Sequence, residues 1–249
     1  MKLNGEVGRI DSSSNIVLLD VEGTTTPVSF VYDTLFPYAR EHLNRFLNRH
    51  FEKAEVGDAV DLLSVEHLQD SGSGGQPPPW DRGAASSVAD YCAWLMDADR
   101  KATGLKAIQG LIWKDGYESG ALKAPVFDDV VPAFKRWRKR GARIYIYSSG
   151  SVLAKKLLFT YSIRGDLTSY LSGYFDTEIG AKREPESYSK ISRATACAPG
   201  ELLFLSDSLA EVDAARRAGM ETGLVVREQQ IILENQGRHP VVSTFCLIE

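Results

Sequence analysis

The chain has 249 residues, 43% of them hydrophobic, and a formal net charge of −4 from 29 basic and 33 acidic side chains. This length allows one domain with a sizeable insertion, or two small domains, and a proper hydrophobic core. The mild acidity argues against a nucleic-acid surface and against binding to anionic membranes. No apolar run approaches the roughly 18 residues that a membrane-spanning helix needs.

The three cysteines are far apart in the sequence and lack the CxxC spacing of metal and redox sites. They therefore predict neither a disulfide framework nor a zinc site, and they fit a reducing compartment. The N-terminal segment MKLNGEVGRIDSSS lacks the apolar centre of a signal peptide. We expect a soluble, intracellular protein.

The segment Ile16–Pro27, IVLLDVEGTTTP, is the first candidate functional motif. Its four branched apolar residues predict a buried parallel strand that ends at Asp20, and open α/β sheets bind ligands at that edge. An acid, a second acid two residues on and a Gly-Thr-Thr turn are the arrangement of an aspartyl nucleophile. Asp20 would attack phosphorus, and Glu22 would handle the proton. The Gly23 turn and the Thr24 hydroxyl would bring hydrogen-bond donors to the phosphoryl oxygens. The alternative is an ordinary strand with an N-capping acid before a helix.

About 100 residues after this motif have a mainly helical pattern. Apolar residues at helical spacing predict a helix over about Asp33–Phe51 and further helices around residues 88–96 and 105–112. Segment 52–71 is more polar and is expected to be helical in part. Ser71–Gly83, SGSGGQPPPWDRG, predicts an exposed loop because it is rich in Gly and Pro. This region forms either a separate lid or a long insertion into a sheet domain.

From residue 130 onward, strand and helix patterns alternate. One helix ends at Gly141, and Pro185 suits the first turn of another. The predicted strands are Arg143–Tyr147, Gly173–Asp176, Glu201–Leu205 and Gly223–Val226, and further helices are expected over Ser151–Phe159 and from about Leu209 to Gly219. This alternation is typical of a parallel sheet covered by helices on both faces.

Polar side chains directly follow three of the predicted strands, at Asp20, at Ser148-Ser149 and at Asp207. Because parallel strands end at one edge of a sheet, we expect these residues to converge. Ser148 and Ser149 precede a helix whose N-terminus offers an anion site, although a helix N-cap explains them equally well.

Lys182 and Glu211 add two charged side chains to the candidate site. Lys182, just ahead of a helix, would supply positive charge, unless it is a solvated surface lysine. Asp207, with Glu211 four residues on, offers hard oxygen ligands suited to Mg²⁺, or else caps a helix. Phosphoryl transfer needs a nucleophile, charge neutralisation, a metal and a proton carrier, and the set supplies each of them.

Two other features have simpler interpretations. The basic run KRWRKR, residues 135–140, sits late in a predicted helix, where cations suit the helix dipole, so we expect a solvated face and not a nucleic-acid patch. The four histidines show no metal-site spacing.

Four segments resemble the haloacid dehalogenase superfamily: DVEGTTTPVSFVYDTLFPYAREHL, IYIYSSGSVLAKKLLF, GAKREPESYSKI and LFLSDSLAEVDAA. Within it they are similar to the enolase-phosphatases (acireductone synthases) of methionine salvage, and LKAIQGLIWKDGY is similar to that family's cap segment. The resemblance runs over essentially the whole chain. Glutamate at the second acid of DxEGTT separates this family from most relatives, which carry aspartate there.

The resemblance implies an α/β fold with a Rossmann-like parallel sheet core and an inserted helical cap. We expect the core at residues 1–30 and 125–249 and the cap at residues 31–124. The resemblance also implies one Mg²⁺ per subunit, a small-molecule phosphate substrate and a monomer, and the composition predicts no nucleic-acid or membrane partner. It implies a cytoplasmic location, with a nuclear pool if the source is eukaryotic.

The implied reaction converts 2,3-diketo-5-methylthiopentyl-1-phosphate to the acireductone 1,2-dihydroxy-3-keto-5-methylthiopentene and phosphate, by enolisation and then dephosphorylation through an aspartyl-phosphate. Asp20 would be nucleophile and metal ligand. Glu22 would ligate the metal through its backbone carbonyl, with its side chain as acid/base candidate. Asp207 would be a further metal ligand. The implied substrate-binding residues are Ser148, Ser149 and Lys182, which Thr24 joins through its hydroxyl.

The sequence leaves several alternatives open. The core motifs determine the reaction and the cap selects the substrate, so a phosphatase for another small phosphate ester is the alternative function. A non-catalytic binding protein on an inherited fold is a second rival. The enolisation base is either Glu22 or a cap residue. Pro185 stands where the family pattern has a polar residue, which puts the shape of the turn beside Lys182 in question.

Overall fold

A computed structural model of the chain describes residues 8–227, 235 and 237–249. The chain folds into two compact units. One is the helical unit Val31–Leu122, and the other is the sheet unit, formed by the chain up to Phe30 together with Lys123–Glu249. Residues 1–7 of the segment that we interpret as lacking a signal peptide lie outside the described residues.

The helical unit contains four α-helices, preceded by a π-helical turn at Phe30–Leu35. These helices are α1 (Phe36–His50), α2 (Ala54–Gly72), α3 (Ala85–Asp97) and α4 (Thr103–Glu118). α2 packs on α4, and α1 packs on both α3 and α4. The predicted amphipathic helices are therefore present, and the polar segment 52–71 is helical over nearly its whole length because its apolar side chains are buried against α4.

The Gly- and Pro-rich loop is shorter than predicted, since α2 continues to Gly72. The rest of the loop is tied to the helical unit by Trp80, whose ring centroid lies 5.3 Å from that of His67 and 5.5 Å from that of Tyr91. His67 Nε2 is also 2.8 Å from the carbonyl oxygen of Pro78.

The sheet unit is built on a six-stranded parallel sheet with the order β3-β2-β1-β4-β5-β6. The strands are β1 (Ile16–Leu19), β2 (Arg143–Tyr147), β3 (Leu171–Phe175), β4 (Leu202–Ser206), β5 (Glu221–Val225) and β6 (Val241–Val242). Its α-helices are α5 (Val130–Lys139), α6 (Val152–Thr160), α7 (Pro185–Thr195) and α8 (Leu209–Arg217). The predicted α/β fold with a parallel sheet is confirmed.

β1 lies between β2 and β4, and all four of its residues are fully buried. Ile16 and Leu18 belong to a core cluster with side chains of α7 and α8. Because side chains alternate along a strand, Val17 and Leu19 face the opposite side of the sheet. This double burial explains why β1 is an unbroken apolar run.

The bounds of three strands differ from the sequence prediction, and one further strand is present. β4 lies one residue later in the chain than predicted, and β3 and β5 each end one residue earlier. β3 and β5 each begin two residues earlier than predicted, because pairing with the neighbouring strand extends the ladder past Gly173 and Gly223. β6 was not predicted, since two valines carry too little pattern on their own. Within the described residues, no helix combines the length and the apolarity needed to cross a bilayer.

Candidate active site

The carboxyl edge of the sheet brings together the residues that follow three adjacent strands. Asp20 follows β1, Ser148 follows β2 and Asp207 follows β4, and β1 is the middle strand of the three. The backbone N–H of Asp20 continues the ladder by donating to the carbonyl of Leu205 at 3.0 Å. The predicted convergence of these positions follows from this strand order.

Lys182 enters the site from the loop that precedes α7. Its Nζ lies 2.6 Å from Asp20 Oδ1 and 2.6 Å from Glu211 Oε2, and its side chain is only 10% exposed. Burial by itself would lower the pKa of Lys182, but the charges of Asp20 and Glu211 outweigh burial and raise it. Lys182 is therefore a fixed positive charge and not a solvated surface lysine.

The loop that carries Lys182 is held by two buried tyrosines. Tyr188 donates its hydroxyl to the carbonyl of Lys182 at 2.7 Å, and Tyr147 donates to the carbonyl of Gly180 at 2.9 Å. Pro185 begins α7 at its first turn, as the sequence predicts. The departure at Pro185 therefore leaves Lys182 directed at Asp20.

Ser206, the last residue of β4, joins the two carboxylates that bind Lys182. Its Oγ lies 3.0 Å from Asp20 Oδ2 and 2.9 Å from Glu211 Oε2, so its single hydrogen serves one acceptor at a time. Burial and the negative charge of Asp20 raise the pKa of Glu211 to about 7, although Lys182 opposes this shift. The sequence analysis considered Glu211 as a metal ligand beside Asp207, whereas in the structure the carboxylate of Glu211 forms an ion pair with Lys182.

The turn Glu22–Thr26 and the start of the loop after β4 are in direct contact. Asp207 donates its backbone N–H to Thr24 Oγ1 at 3.1 Å. Gly23 has φ +70°, and a Cβ on it would lie 2.1 Å from Asp207 Oδ2, so only glycine allows the Asp207 carboxylate to approach this closely. Burial, with the negative charge of Asp20, raises the pKa of Asp207 to about 6.

Glu22 lies on the same turn, partly buried beside Asp20. Burial and the charge of Asp20 raise its pKa, while Lys182 and Lys155 act in the opposite direction. A carboxyl group whose pKa is raised in this way holds a proton more readily than an ordinary glutamate, which suits it to act as a general acid.

The two predicted serines differ in their surroundings. Ser148 is buried directly after β2, whereas Ser149 is exposed. The N-cap of α6 is Ser151, whose Oγ accepts from the N–H of Ala154 at 3.2 Å, so neither predicted serine is needed as the cap.

The sequence analysis did not count Lys155 and Ser206 among the site residues, and it considered Glu211 only as a metal ligand beside Asp207. Lys155 is buried on α6 and donates to the carbonyl of Ser148 at 3.3 Å and to that of Gly150. The apolar spacing of α6 was an available signal, since position 155 shares its buried face with Leu158 and Phe159.

The donors at this edge fit a Mg²⁺ ion. Asp20 and Asp207 offer carboxylates, and Glu22 offers a backbone carbonyl, all of them hard oxygen ligands. Burial is the main cause that raises the pKa of Asp207, and the negative charge of Asp20 adds to it, so a cation bound here would favour the ionised carboxylate. Among the described residues, no group of three or more His, Cys, Asp or Glu side chains is arranged as a metal site. The proposed ligand set has only two carboxylate side chains and one backbone carbonyl, so it does not need such a group.

The family model described as haloacid dehalogenase-like hydrolase matches residues 15–219, which run from the residue before β1 to just beyond the end of α8. The fold and the site therefore define a hydrolase of that class. A dehalogenase of known structure, 13% identical with a TM-score of 0.54 over 94% of this chain and 95% of its own, shares the fold.

Several similar proteins specify the family more closely. Enolase-phosphatase E1 of Synechococcus elongatus is 48% identical over 89% of this chain and 92% of its own length. Enolase-phosphatase E1 of Danio rerio is 41% identical over 96% of each chain. The crystal structure of the UTR4 protein of Saccharomyces cerevisiae has a TM-score of 0.76 and 35% identity, covering 93% of this chain and 98% of that one. The chain belongs to the enolase-phosphatase family of haloacid dehalogenase-like hydrolases, which generally use Mg²⁺.

Proposed function

We propose that this chain is a bifunctional enolase-phosphatase of methionine salvage. It converts 2,3-diketo-5-methylthiopentyl-1-phosphate to 1,2-dihydroxy-3-keto-5-methylthiopentene and phosphate. The observation that carries the proposal is the ion pair of Lys182 with Asp20, 2.6 Å long, at the carboxyl edge of the sheet. An aspartyl nucleophile needs a cation at this place, because charge collects on the phosphoryl oxygens as phosphorus is attacked.

The phosphoryl group passes through Asp20. A carboxylate oxygen of Asp20 attacks phosphorus, the bond from phosphorus to the substrate oxygen breaks, and Glu22 protonates the departing oxygen. Water then attacks the phosphoaspartate, Glu22 takes a proton from that water, and phosphate leaves while Asp20 is restored. Lys182 offsets negative charge throughout, since it stays protonated beside the reacting carboxylate.

Substrate binding is assigned to Ser148, Ser149, Lys182 and Thr24. Asp20, Asp207 and the backbone carbonyl of Glu22 would hold one Mg²⁺ per subunit. When bound, this ion supplies Lewis-acid stabilisation of phosphoryl and carbonyl oxygens.

Enolisation comes before dephosphorylation and removes a proton from the carbon next to a carbonyl. Glu22 is the candidate base of the sheet unit, and a residue of the helical unit is its rival. If Glu22 takes this proton, the electron pair of the C–H bond forms the C=C bond and the carbonyl oxygen takes a proton from solvent. Glu22 is then already in the protonated form that dephosphorylation uses, and it returns a proton to solvent after phosphate has left. We assign the role of a substrate-selecting cap to the helical unit. The monomeric state and the cytoplasmic location stay predictions.

The test is an assay of the diketo phosphate that follows enol formation by ultraviolet absorbance and phosphate release separately, with and without Mg²⁺. We expect both signals in the presence of Mg²⁺, and Asp20→Asn should abolish phosphate release.

Phosphate release from a panel of other esters without an enol signal would leave the alternative, a phosphatase for another small ester. Normal phosphate release by Asp20→Asn would contradict the role of Asp20 as nucleophile.

A further inference from the structure

Arg227, two residues beyond β5, is a buried arginine that the reaction scheme does not use. Its side chain is only 7% exposed. Nε and Nη2 both donate to the carbonyl oxygen of Thr24, at 2.9 and 2.7 Å. Two N–H groups on one carbonyl fix both the position and the direction of that peptide group.

The guanidinium of Arg227 is itself fixed on its other sides. Nη1 forms an ion pair of 2.5 Å with Asp129 Oδ2, and this carboxylate oxygen also accepts from Thr244 Oγ1 and from the N–H of Phe245. Cζ lies 4.5 Å from the ring centroid of Phe127 and 4.3 Å from that of Phe245, within cation–π range. The guanidinium that binds the carbonyl of Thr24 is therefore itself fixed in position by Asp129 and the two aromatic rings.

Thr24 passes this constraint on to the candidate metal site. Its hydroxyl accepts the N–H of Asp207, and its carbonyl is the group that Arg227 holds. The preceding residue, Gly23, forms the close approach to the Asp207 carboxylate. Arg227, Thr24 and Asp207 thus form one chain of hydrogen bonds that sets the distance between the Glu22–Gly23 turn and Asp207.

We propose that Arg227 is a positioning residue for the metal-binding oxygens: it sets the Thr24 peptide and, through the Thr24 hydroxyl, the Asp207 carboxylate. The inference rests on the proposed function only for the assignment of Asp207 and Glu22 as Mg²⁺ ligands. Groups that orient metal ligands from behind typically change metal affinity or activity by about 10–100-fold when they are replaced.

The experiment compares Arg227→Lys with the matched control Arg136→Lys. Arg136, on α5, also donates to backbone carbonyls of the sheet unit, those of Phe245 at 2.7 Å and Ile248 at 3.0 Å. Both substitutions keep the charge and remove the planar group with its paired N–H donors. Mg²⁺ binding is measured directly by calorimetry on the full chain, together with the midpoint of thermal unfolding and the kcat and KM of phosphate release.

We expect Arg227→Lys to weaken Mg²⁺ binding by about tenfold or more and to lower kcat at subsaturating Mg²⁺, with little change in substrate KM. Arg136→Lys should lower the unfolding midpoint and leave Mg²⁺ affinity within about twofold of the parent. Equal Mg²⁺ affinity in the two variants would overturn the proposal, because Arg227 would then act on stability alone.

Thr24→Val provides a second route if Arg227→Lys does not fold. This nearly isosteric change removes the acceptor of the Asp207 N–H, so it should also weaken Mg²⁺ binding by about tenfold. The double variant should be no weaker than the worse single variant, since the two groups act in series. Fully additive losses would contradict the series arrangement. A parent protein that binds Mg²⁺ but releases no phosphate would refute the proposed function and leave the positioning result readable.

Discussion

The ammonium group of Lys182 and the carboxylate of Asp20 are in contact at 2.6 Å, although one lies ahead of α7 and the other directly follows β1. The same ammonium group is 2.6 Å from Glu211, so one buried cation serves two buried carboxylates. Removal of this cation would leave two carboxylates without compensation, which is costly in a buried site.

Lys182→Met should therefore abolish most phosphate release. We expect kcat to fall by about 10²–10³-fold, the usual effect of losing one preorganised group that stabilises transition-state charge. The free energy of unfolding should fall by about 3 kcal/mol, because a buried ion pair is broken from one side. Steady-state phosphate release and denaturant unfolding measure the two effects. Lys190→Met, at an exposed position of α7, is the control and should change neither.

Gly23→Ala should cost more activity than backbone strain alone explains. Its Cβ would lie 2.1 Å from Asp207 Oδ2, so the carboxylate must move. Gly165→Ala is the matched control, since Gly165 has φ +86° and nothing within 4 Å of the added Cβ. Each variant should lose about 1–2 kcal/mol of stability from the left-handed backbone. Only Gly23→Ala should lose Mg²⁺-dependent phosphate release, and equal activity of the two variants would refute the close approach as a functional requirement.

The contribution of Asp207 and Glu211 to the stability of the metal-free protein should fall as pH rises from about 4 to about 7. The pKa of Asp207 is raised to about 6 and that of Glu211 to about 7, above the ordinary values of 3.8 and 4.5. Between those limits these two groups bind more protons in the folded protein than in the unfolded chain, and their part of the stability is lost on deprotonation. Thermal unfolding in EDTA at several pH values tests this expectation, and Asp207→Asn should lose less stability over the same range than the parent. Identical pH profiles would show that Asp207 does not contribute.

Glu66→Gln tests how the helical unit begins α4, which lacks a capping side chain of its own. Glu66 of α2 accepts from the N–H of Thr103 at 2.5 Å and of Gly104 at 3.2 Å, and its charge suits the helix N-terminus. The substitution should lower the free energy of unfolding by about 1 kcal/mol, with phosphate release retained. Urea unfolding measures the loss; since Gln keeps one acceptor oxygen, an unchanged midpoint would mean that the charge of the partly buried Glu66 side chain does not stabilise the helix N-terminus.

Several elements could be predicted from the sequence because their signals are local. The apolar run of β1 and the acids after it indicate a buried strand and its functional end, and the structure gives β1 the predicted bounds. Pro185 and Gly141 likewise mark a helix start and a helix end through their own backbone preferences. The catalytic, substrate-binding and metal-binding roles of the predicted site residues stay predictions: Asp20, Glu22, Thr24, Ser148, Ser149, Lys182 and Asp207.

Other features depend on groups that are distant in the sequence. The ion pairs of Lys182 with Asp20 and Glu211 form only where separate segments of the chain meet in space. The same is true of the hydrogen bonds from Arg227 to Thr24. The spacing of apolar residues along the chain does not predict these contacts, because ion pairs and side-chain hydrogen bonds form only where the packed sheet brings the groups together.

The alternation of strands and helices and the resemblance to a hydrolase family could be read from the amino-acid sequence, since burial patterns and motif residues are written along the chain. Which charges neutralise one another at the carboxyl edge became clear only in the folded molecule. The strand order β2-β1-β4 places the ends of these strands side by side, and electrostatic interactions depend on that distance and burial and not on separation in sequence.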